Sequence, residues 1–277
     1  MTPFANALCA VDGTPESLAA VGQAAELVGP GGELTLLIVT SFRDLPEVHF
    51  PAIRAERVSE IIEQALQMTE STGVSVTVDV DPAGPPARVI LDWSADRDLL
   101  AIGAPATSWF GAMFRGGVAA AAEASLRTPL LVSHLTAGAT STPRILVASD
   151  GCEESDGLVE LAGELAQTQG AGVTLLHVLG RKSQVRSARI QRQAQELELL
   201  LDGNSDLRIE QGNPRSLVLE AADEVHASLV VMSSRRLRGL HAVGSVSRRV
   251  VHQAHCPVLL MPPEGLHAGN APASITA

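Results

Sequence analysis

The chain has 277 residues, of which 45% are hydrophobic and 18% charged, and its net charge is −11 at pH 7. The apolar content excludes a disordered, solvated chain, and the excess of acidic residues disfavours a general binder of nucleic acid. At roughly 150 residues per domain, the length predicts two domains.

The first half alternates short apolar segments with longer amphipathic ones, which predicts strands and helices in turn. We expect strands near residues 6–11, 33–39, 74–80, 98–103 and 129–133, and helices near 15–29, 52–72, 86–96 and 117–127. Pro15 after Thr14 is typical of a first helical turn with a hydroxyl cap before it. The strands are continuously apolar, which indicates a parallel sheet covered on both faces.

The second half repeats the first in the same order. Three segments, Ala7–Gly13, Glu33–Val39 and Pro129–Val132, return as Ile145–Gly151, Gly172–Val178 and Pro257–Leu260. We therefore predict two tandem α/β domains, each an open five-stranded parallel sheet with helices on both faces. The predicted bounds are 1–135 and 144–262, with a linker at 136–143 and a flexible tail at 263–277.

An open parallel sheet binds ligands beyond the carboxyl ends of its strands, where the strand order reverses. Asp12 and Gly13 end the first predicted strand and Gly103 ends the fourth, so both loops face one cleft if these strands are neighbours. Gly116 and Gly117 open the next predicted helix, where free N–H groups favour a phosphate. The sequence therefore predicts an anion-binding cleft in the first half.

These residues resemble the universal stress protein family, and the resemblance covers almost the whole chain as two copies. It is carried by Val11-Asp12-Gly13, by Gly84–Ala87 and by the loop after the fourth strand. ATP-binding members carry a glycine, two residues, a second glycine, nine residues, and then Gly-Ser or Gly-Thr. The resemblance implies an adenine nucleotide alpha hydrolase-like fold and dimerisation through the last strand. In tandem members, it implies a pseudo-dimer of the two domains within one chain.

In the first half the motif keeps its spacing but not all of its residues. Alanine replaces the second glycine, and a glycine replaces the residue that would offer a hydroxyl to phosphate. The resemblance implies contacts to ATP with magnesium from Val11, Asp12, Val39, Gly103, Ala106, Gly116 and Gly117. Because the altered residues offer fewer contacts, we expect weakened binding.

The second half departs further from the motif. The residues that match it are Asp150, Val178, Gly244 and Ser245. The two earlier glycines are replaced by Ser233 and Arg236, and the following loop is two residues shorter than in the family. A shortened loop cannot follow the same path around a triphosphate, so we expect a degenerate site.

Five arginines surround this altered loop, at positions 235, 236, 238, 248 and 249. They either hold a different anion in place of the lost backbone contacts or form a solvated face that pairs with the acidic first domain. We favour the second interpretation, because exposed cations are usually solvated.

Neither a catalytic residue nor a metal site is expected. Asp12 and Asp150 have no nucleophile or histidine beside them in the motif, so each carboxylate is expected to accept hydrogen bonds from a ligand or a helix end. His252, His255 and Cys256 have a metal-like spacing. However, a helix that ends in His-Cys-Pro before the last strand is frequent in this family without a metal.

The three cysteines are an odd number at unrelated spacings, which favours a reducing compartment. No apolar segment approaches about 18 residues, so we expect a cytoplasmic protein that does not associate with membranes. Cys9 is expected to be an inert core residue. Trp109 lies within the nine-residue loop and is expected to cover the first cleft.

Two functions remain open. The first is a nucleotide-binding module, in which the first domain holds an adenine nucleotide and reports it through rearrangement of the domains or of a homodimer. The alternative is a dimerising adaptor of the same family that binds no nucleotide. Slow ATP hydrolysis is disfavoured, because Lys182 is the only lysine and no general base is evident.

The last strand of each half would leave an uncovered apolar edge. Such an edge invites pairing with another strand. We therefore predict that Pro129–Ser133 and Pro257–Met261 pair with each other within the chain.

Overall fold

A computed structural model of the chain describes residues 2–40, 55–82, 86–104, 128–135, 142–179, 187–233 and 245–262. The first half contains β1 (Asn6–Ala10), α1 (Pro15–Val28), β2 (Glu33–Val39), α2 (Ala55–Gln67), β3 (Ser75–Asp81), α3 (Pro86–Ser94), β4 (Leu99–Gly103) and β5 (Leu130–Ser133). The second half contains β6 (Arg144–Ala148), a 3-10 turn (Glu153–Ser155), α4 (Asp156–Gln169), β7 (Gly172–Leu179), α5 (Ser187–Leu200), β8 (Ser205–Gln211), α6 (Pro214–Glu224), β9 (Leu229–Ser233), α7 (Ser245–Gln253) and β10 (Val258–Met261).

The predicted elements agree with these bounds except at some ends. The second helix was predicted to reach residue 72 but ends at Gln67. Beyond it, the Thr69 hydroxyl donates to the Leu66 carbonyl and the Thr72 hydroxyl to the Thr69 carbonyl, both at 2.8 Å. These local bonds stabilise turns in place of a further helical turn. The predicted helix at 117–127 lies outside the described residues.

All ten strands form one sheet, in the order β3-β2-β1-β4-β5-β10-β9-β6-β7-β8. Within each half the strands are parallel, which confirms the predicted α/β fold of two open five-stranded units. The halves join through β5 and β10, which run antiparallel. The carboxyl ends of the strands, and the cleft expected there, therefore lie at opposite edges of the sheet in the two halves.

Helices cover both faces of this sheet. Along β1, Ala7 and Cys9 face a core shared with α1, α2, α4 and α5. Leu8 and Ala10 face the other core, to which α3, α6 and α7 contribute. This alternation explains why the inner strands are almost continuously apolar, since both of their faces are buried.

The junction between the halves is a buried apolar seam. Leu131 on β5 is opposite Leu259 on β10, and both side chains are fully buried. At the end of β5, the Ser133 hydroxyl bonds the side-chain oxygen of Gln23 on α1. The predicted pairing of the last strands is confirmed, and it gives the two domains a continuous core.

Candidate functional site

The predicted cleft lies where β1 has one neighbour on each side. Ala10 pairs with Leu37 of β2 and with Ile102 of β4. Asp12, two residues further along, is therefore level with Val39 and with Ala104. The same arrangement holds in the second half, where β6 lies between β7 and β9. The expected adjacency of the first and fourth strands is confirmed in both halves.

Hydrogen bonds hold the Asp12 carboxylate in one orientation. Its Oδ1 accepts from the Thr14 backbone N–H at 2.9 Å and from the Thr14 hydroxyl at 2.6 Å. The Thr14 hydroxyl oxygen in turn accepts from the Ser17 N–H at 3.3 Å and caps α1. Asp12 is exposed, and within the described ranges its Oδ2 makes no hydrogen bond. One carboxylate oxygen is therefore presented to solvent at the mouth of the cleft.

Two glycines, Gly13 and Gly103, occupy positions in this cleft that a larger residue would not fit. Gly13 has φ +80°, a left-handed conformation that favours glycine. A Cβ on Gly103 would lie 2.5 Å from the backbone nitrogen of Ser17 and 2.6 Å from the carbonyl carbon of Glu16. Gly103 therefore lets the first turn of α1 rest on the end of β4. The sequence had assigned Gly103 only to nucleotide contact.

The described residues include the adenosine side of the predicted site and little of the phosphate side. Val11 and Val39 are buried with their side chains in opposite cores, so only their backbone faces the cleft. The remaining predicted residues, Ala106, Gly116, Gly117 and Gly244, lie outside the described residues, as does Trp109. For Ser245, only its backbone position at the start of α7 is described.

The loop after β6 differs from its counterpart after β1. Asp150 Oδ1 accepts from the Cys152 N–H at 3.0 Å and from the Ser155 hydroxyl at 2.8 Å. A 3-10 turn separates this loop from α4, whereas α1 begins three residues after Asp12. Ser233 ends β9 where Gly103 ends β4, and α4 contacts β9 less closely than α1 contacts β4. Asp150 is also less exposed than Asp12.

A buried polar network lies beneath this second cleft. The Ser149 hydroxyl donates to Gln193 Oε1 at 2.8 Å, and the His177 ring bonds the Ser149 carbonyl through Nδ1 at 2.9 Å. Gln193 Nε2 donates to Asp156 Oδ1 at 2.6 Å. The exposed fraction is 4% for Ser149, 2% for His177 and 0% for Gln193.

The equivalent positions in the first half are apolar. The repeated segments align Ser149 with Val11 and His177 with Ile38, and the burial pattern of α5 matches Gln193 to Ile61 of α2. Sequence reasoning missed this network. An alignment of the two halves could have revealed it, because at each of these three positions the second half has a polar residue and the first half has an aliphatic one.

Asp156 connects the network to two arginines of α5. Its Oδ2 accepts from Arg189 at 2.5 Å and from Arg192 at 2.7 Å. These partly buried ion pairs attach α5 to the first turn of α4. Both oxygens of the Asp156 carboxylate are thereby used in structural contacts, and Arg192 also pairs with Glu196 at 3.5 Å.

Other residues that the sequence singled out have structural surroundings. Cys9 is fully buried, as expected of a core residue, and burial raises the pKa of its thiol. Arg249 Nε donates to Gln253 Oε1 within α7, whereas Arg235, Arg236 and Arg238 lie outside the described residues. Across the described ranges, no three His, Cys, Asp or Glu side chains are grouped to hold a metal.

A shallow cavity of about 560 Å³ lies away from both clefts. Its lining residues are Asn6, Asp92, Trp93, Asp96 and Arg97. Asn6 begins β1, so the cavity is at the amino ends of the strands, whereas ligands of such sheets bind beyond the carboxyl ends. Among the described helices, none is both long enough and apolar enough to cross a membrane.

Comparison with known proteins places this geometry in a family. The model described as the universal stress protein family matches residues 3–134 and again 142–262. A universal stress protein of Thermus aquaticus is 33% identical over 135 residues, which are 42% of this chain and 96% of that protein. A putative universal stress protein of Staphylococcus aureus is 28% identical over 147 residues, which are 46% of this chain and 89% of the relative.

A solved structure shares the arrangement of the whole chain. The crystal structure of a universal stress protein from Archaeoglobus fulgidus superposes with a TM-score of 0.72 at 21% identity, and covers 93% of this chain and 98% of that one. At this identity the match shows the fold alone. With the two family matches, which together span most of the sequence, it leads to one conclusion: the chain belongs to the universal stress protein family, as a member with two tandem domains.

Proposed function

We propose that the first domain binds an adenine nucleotide, ATP with magnesium or AMP, in the cleft between β1 and β4. The observation that carries this proposal is the Asp12 carboxylate. It is exposed at the point where the strand order reverses, it is oriented through Oδ1, and its Oδ2 has no hydrogen bond within the described part of the chain. A carboxylate presented in this way is a strong acceptor for a ribose hydroxyl or an adenine amino group.

The surrounding residues fit the adenosine part of such a ligand. Val39 is level with Asp12 on the neighbouring strand, so its backbone carbonyl and N–H groups are near the place where a base would lie. The phosphates would extend towards Gly116 and Gly117, whose backbone N–H groups would suit an anion if the predicted helix at 117–127 begins there. Magnesium would be held by the phosphates, since Mg²⁺ in nucleotide sites keeps several waters and substrate oxygens.

The second domain is proposed to bind nucleotide weakly or not at all. Asp150 Oδ1 accepts from two groups of its own loop, and α4 begins six residues after Asp150 whereas α1 begins three residues after Asp12. Ser233 ends β9 at the position that Gly103 has at the end of β4. The loop that would follow the phosphates is also shortened in sequence. One chain would then carry one functional cleft, and the other domain would serve as its pairing partner.

Calorimetric titration of the full chain with ATP and magnesium, and separately with AMP, tests this proposal. The informative variant is Asp12→Asn, because Asn keeps the acceptor that Thr14 uses and changes Oδ2 into a donor. Hydrogen bonds to charged groups contribute about 1.5–3 kcal/mol, so affinity should fall by roughly tenfold or more. The matched control is Asp150→Asn, which should leave the titration unchanged.

If the protein is instead an adaptor that binds no nucleotide, the same experiments should give the opposite result. Wild-type protein would show no heat at millimolar nucleotide, and denatured protein would release no nucleotide on chromatography. Equal losses in Asp12→Asn and Asp150→Asn would also contradict a site confined to the first domain.

A further inference from the structure

Strand β8 forms one end of the ten-stranded sheet, and no strand of the described residues pairs with its outer side. Leu207 and Ile209, on the same face of β8, are 38% and 45% exposed. Native proteins usually blunt such an edge, because exposed apolar strands pair with other chains. The other face of β8 carries Asp206, Arg208 and Glu210, so only a partner strand with complementary charges can pair with this edge.

The backbone of β8 presents a regular row of donors and acceptors to that side. The Val173 N–H of β7 donates to the Asn204 carbonyl at 3.0 Å, and Val173 is level with Ser205. In a parallel ladder, bonding groups alternate between the two sides of a strand. Even-numbered residues of β8 therefore bond β7, and Leu207, Ile209 and Gln211 direct their N–H and C=O groups outward.

We propose that two copies of the chain associate through this edge, with the two β8 strands antiparallel and Ile209 of each copy opposite Ile209 of the other. In this register Ile209 exchanges both backbone bonds with its counterpart, and Leu207 does so with Gln211 of the other copy. The two ten-stranded sheets then form one continuous sheet across a two-fold axis. An isologous contact of this kind closes as a dimer.

Charge selects this register from its neighbours. Arg208 of each copy comes directly opposite Glu210 of the other, in non-hydrogen-bonded pairs whose side chains are closest. A register centred on Leu207 would set Arg208 opposite Asp206 instead, but Asp206 is already paired with Arg144 at 2.6 Å, whereas Glu210 has no ion pair within the described ranges. A register centred on Arg208 would instead set Arg208 against itself and Asp206 against Glu210.

The other end of the sheet offers no such pairing. Strand β3 carries Asp79 and Asp81 and no cation. Arg208 already donates to Glu224 of α6 at 2.8 Å, but a guanidinium has five N–H donors and can contact a second carboxylate. The complementarity is therefore a property of β8.

Sedimentation velocity of the full chain, over a range of concentrations, tests the proposal. Wild-type protein should show a species of twice the chain mass. Arg208→Glu and Glu210→Arg should each lose it, because each sets like charges opposite one another twice. An equimolar mixture of the two variants should recover the dimer, since each reversed charge then meets its opposite. Val80→Lys on the β3 edge is the matched control and should remain dimeric.

Cysteine cross-linking gives a readout that does not depend on the charge variants. Opposed residues in a hydrogen-bonded pair have Cα atoms about 5.5 Å apart, within disulfide range. Ile209→Cys should therefore form a covalent dimer on mild oxidation, and Val80→Cys should not. The proposal is overturned if wild-type protein stays monomeric, if both charge variants remain dimeric, if the mixture fails to recover the dimer, or if Val80→Cys cross-links equally well.

Discussion

The backbone nitrogen of Ser17 lies so close to Gly103 that a Cβ on this glycine would approach it to 2.5 Å. Ser17 is in the first turn of α1, and Gly103 is the last residue of β4. This contact places the start of α1 directly over the cleft and next to Asp12. In the second domain Ser233 takes the position of Gly103, and a 3-10 turn precedes the corresponding helix.

Replacing Gly103 with alanine should destabilise the protein. The atoms that a Cβ would meet are backbone atoms of Glu16 and Ser17, which cannot turn aside as a flexible side chain can. Overpacking of this kind costs about 1–3 kcal/mol, which urea unfolding can measure.

Gly22→Ala is the matched control for that change. Gly22 lies within α1, and a Cβ there would meet its nearest neighbours at 3.8 Å, an ordinary contact. Because alanine is favoured over glycine in a helix by about 1 kcal/mol, this variant should be more stable than wild type. Stabilisation by both changes would contradict the close approach of α1 to β4.

The buried network of the second domain should behave as a unit. Gln193→Leu alone removes the acceptor to which the Ser149 hydroxyl donates and one partner of Asp156, and a buried donor left unpaired costs about 1–3 kcal/mol. Adding Ser149→Val, the residue found in the first half, removes the hydroxyl that has lost its acceptor, together with the bond that this hydroxyl accepts from the Gly151 N–H at 3.1 Å. The double variant should therefore be less destabilised than the sum of the single variants.

A double-mutant cycle by urea unfolding measures this coupling. Strict additivity would show that Ser149 and Gln193 do not share a bond that matters for stability. Ile61→Leu, at the equivalent position of the first domain, is the control, because it also introduces a leucine but removes no hydrogen bond.

Acid should weaken the protein through His134 at the end of β5. Burial lowers the pKa of this histidine below its ordinary 6.5, with smaller contributions from the nearby His255 and His252, while a bond to the Val251 backbone and the charge of Glu16 act in the opposite direction. The unfolded state therefore binds the proton more readily than the folded state. The neutral ring therefore stabilises the folded state at pH values above the pKa of the unfolded state. This stabilisation is lost as the pH falls through the lower pKa of the folded state.

The check is the urea midpoint measured from about pH 7.5 down to about pH 5.5 in wild type and in His134→Gln. Glutamine does not titrate, so the variant should lose less stability over this interval. If the urea midpoint falls equally with pH in both proteins, His134 does not contribute to the loss of stability in acid.

The three cysteines should differ in reactivity. Cys9 and Cys256 are buried, and burial, with a smaller effect of Asp223, raises the pKa of Cys256 to about 12. Cys152, in the loop after β6, is only partly buried. A thiol reagent should label one site in the native protein and three after unfolding, and Cys152→Ser should remove the native label. Rapid native labelling of that variant would contradict the described burial.

Much of the fold was predictable because it follows from repeated patterns. Continuous apolar segments in the same order in both halves predicted two parallel sheets, and the apolar last strands predicted their own pairing. The role of Gly103 was not predictable in this way, since it depends on how closely α1 crosses β4. The Ser149–His177–Gln193 network was also missed, because its members come from three separate elements that only the folded chain brings together.

The positions of Asp12, just beyond β1, and of Val39, at the end of the adjacent β2, were predictable from the sequence. The orientation of the Asp12 carboxylate was not predictable, because it is set by Thr14, which donates both its N–H and its hydroxyl to one oxygen of Asp12. A serine or threonine two residues after an aspartate at a strand end is a signal that sequence reasoning can use. Ala106, Gly116 and Gly117 remain predictions from the family motif.

The number of nucleotides bound by each chain tests the central claim most directly. Native mass spectrometry of the full chain with ATP and magnesium should show one nucleotide per chain in wild type and in Asp150→Asn, and a strongly reduced occupancy in Asp12→Asn. Two nucleotides per wild-type chain, none at all, or full occupancy in Asp12→Asn would contradict a single cleft organised by Asp12.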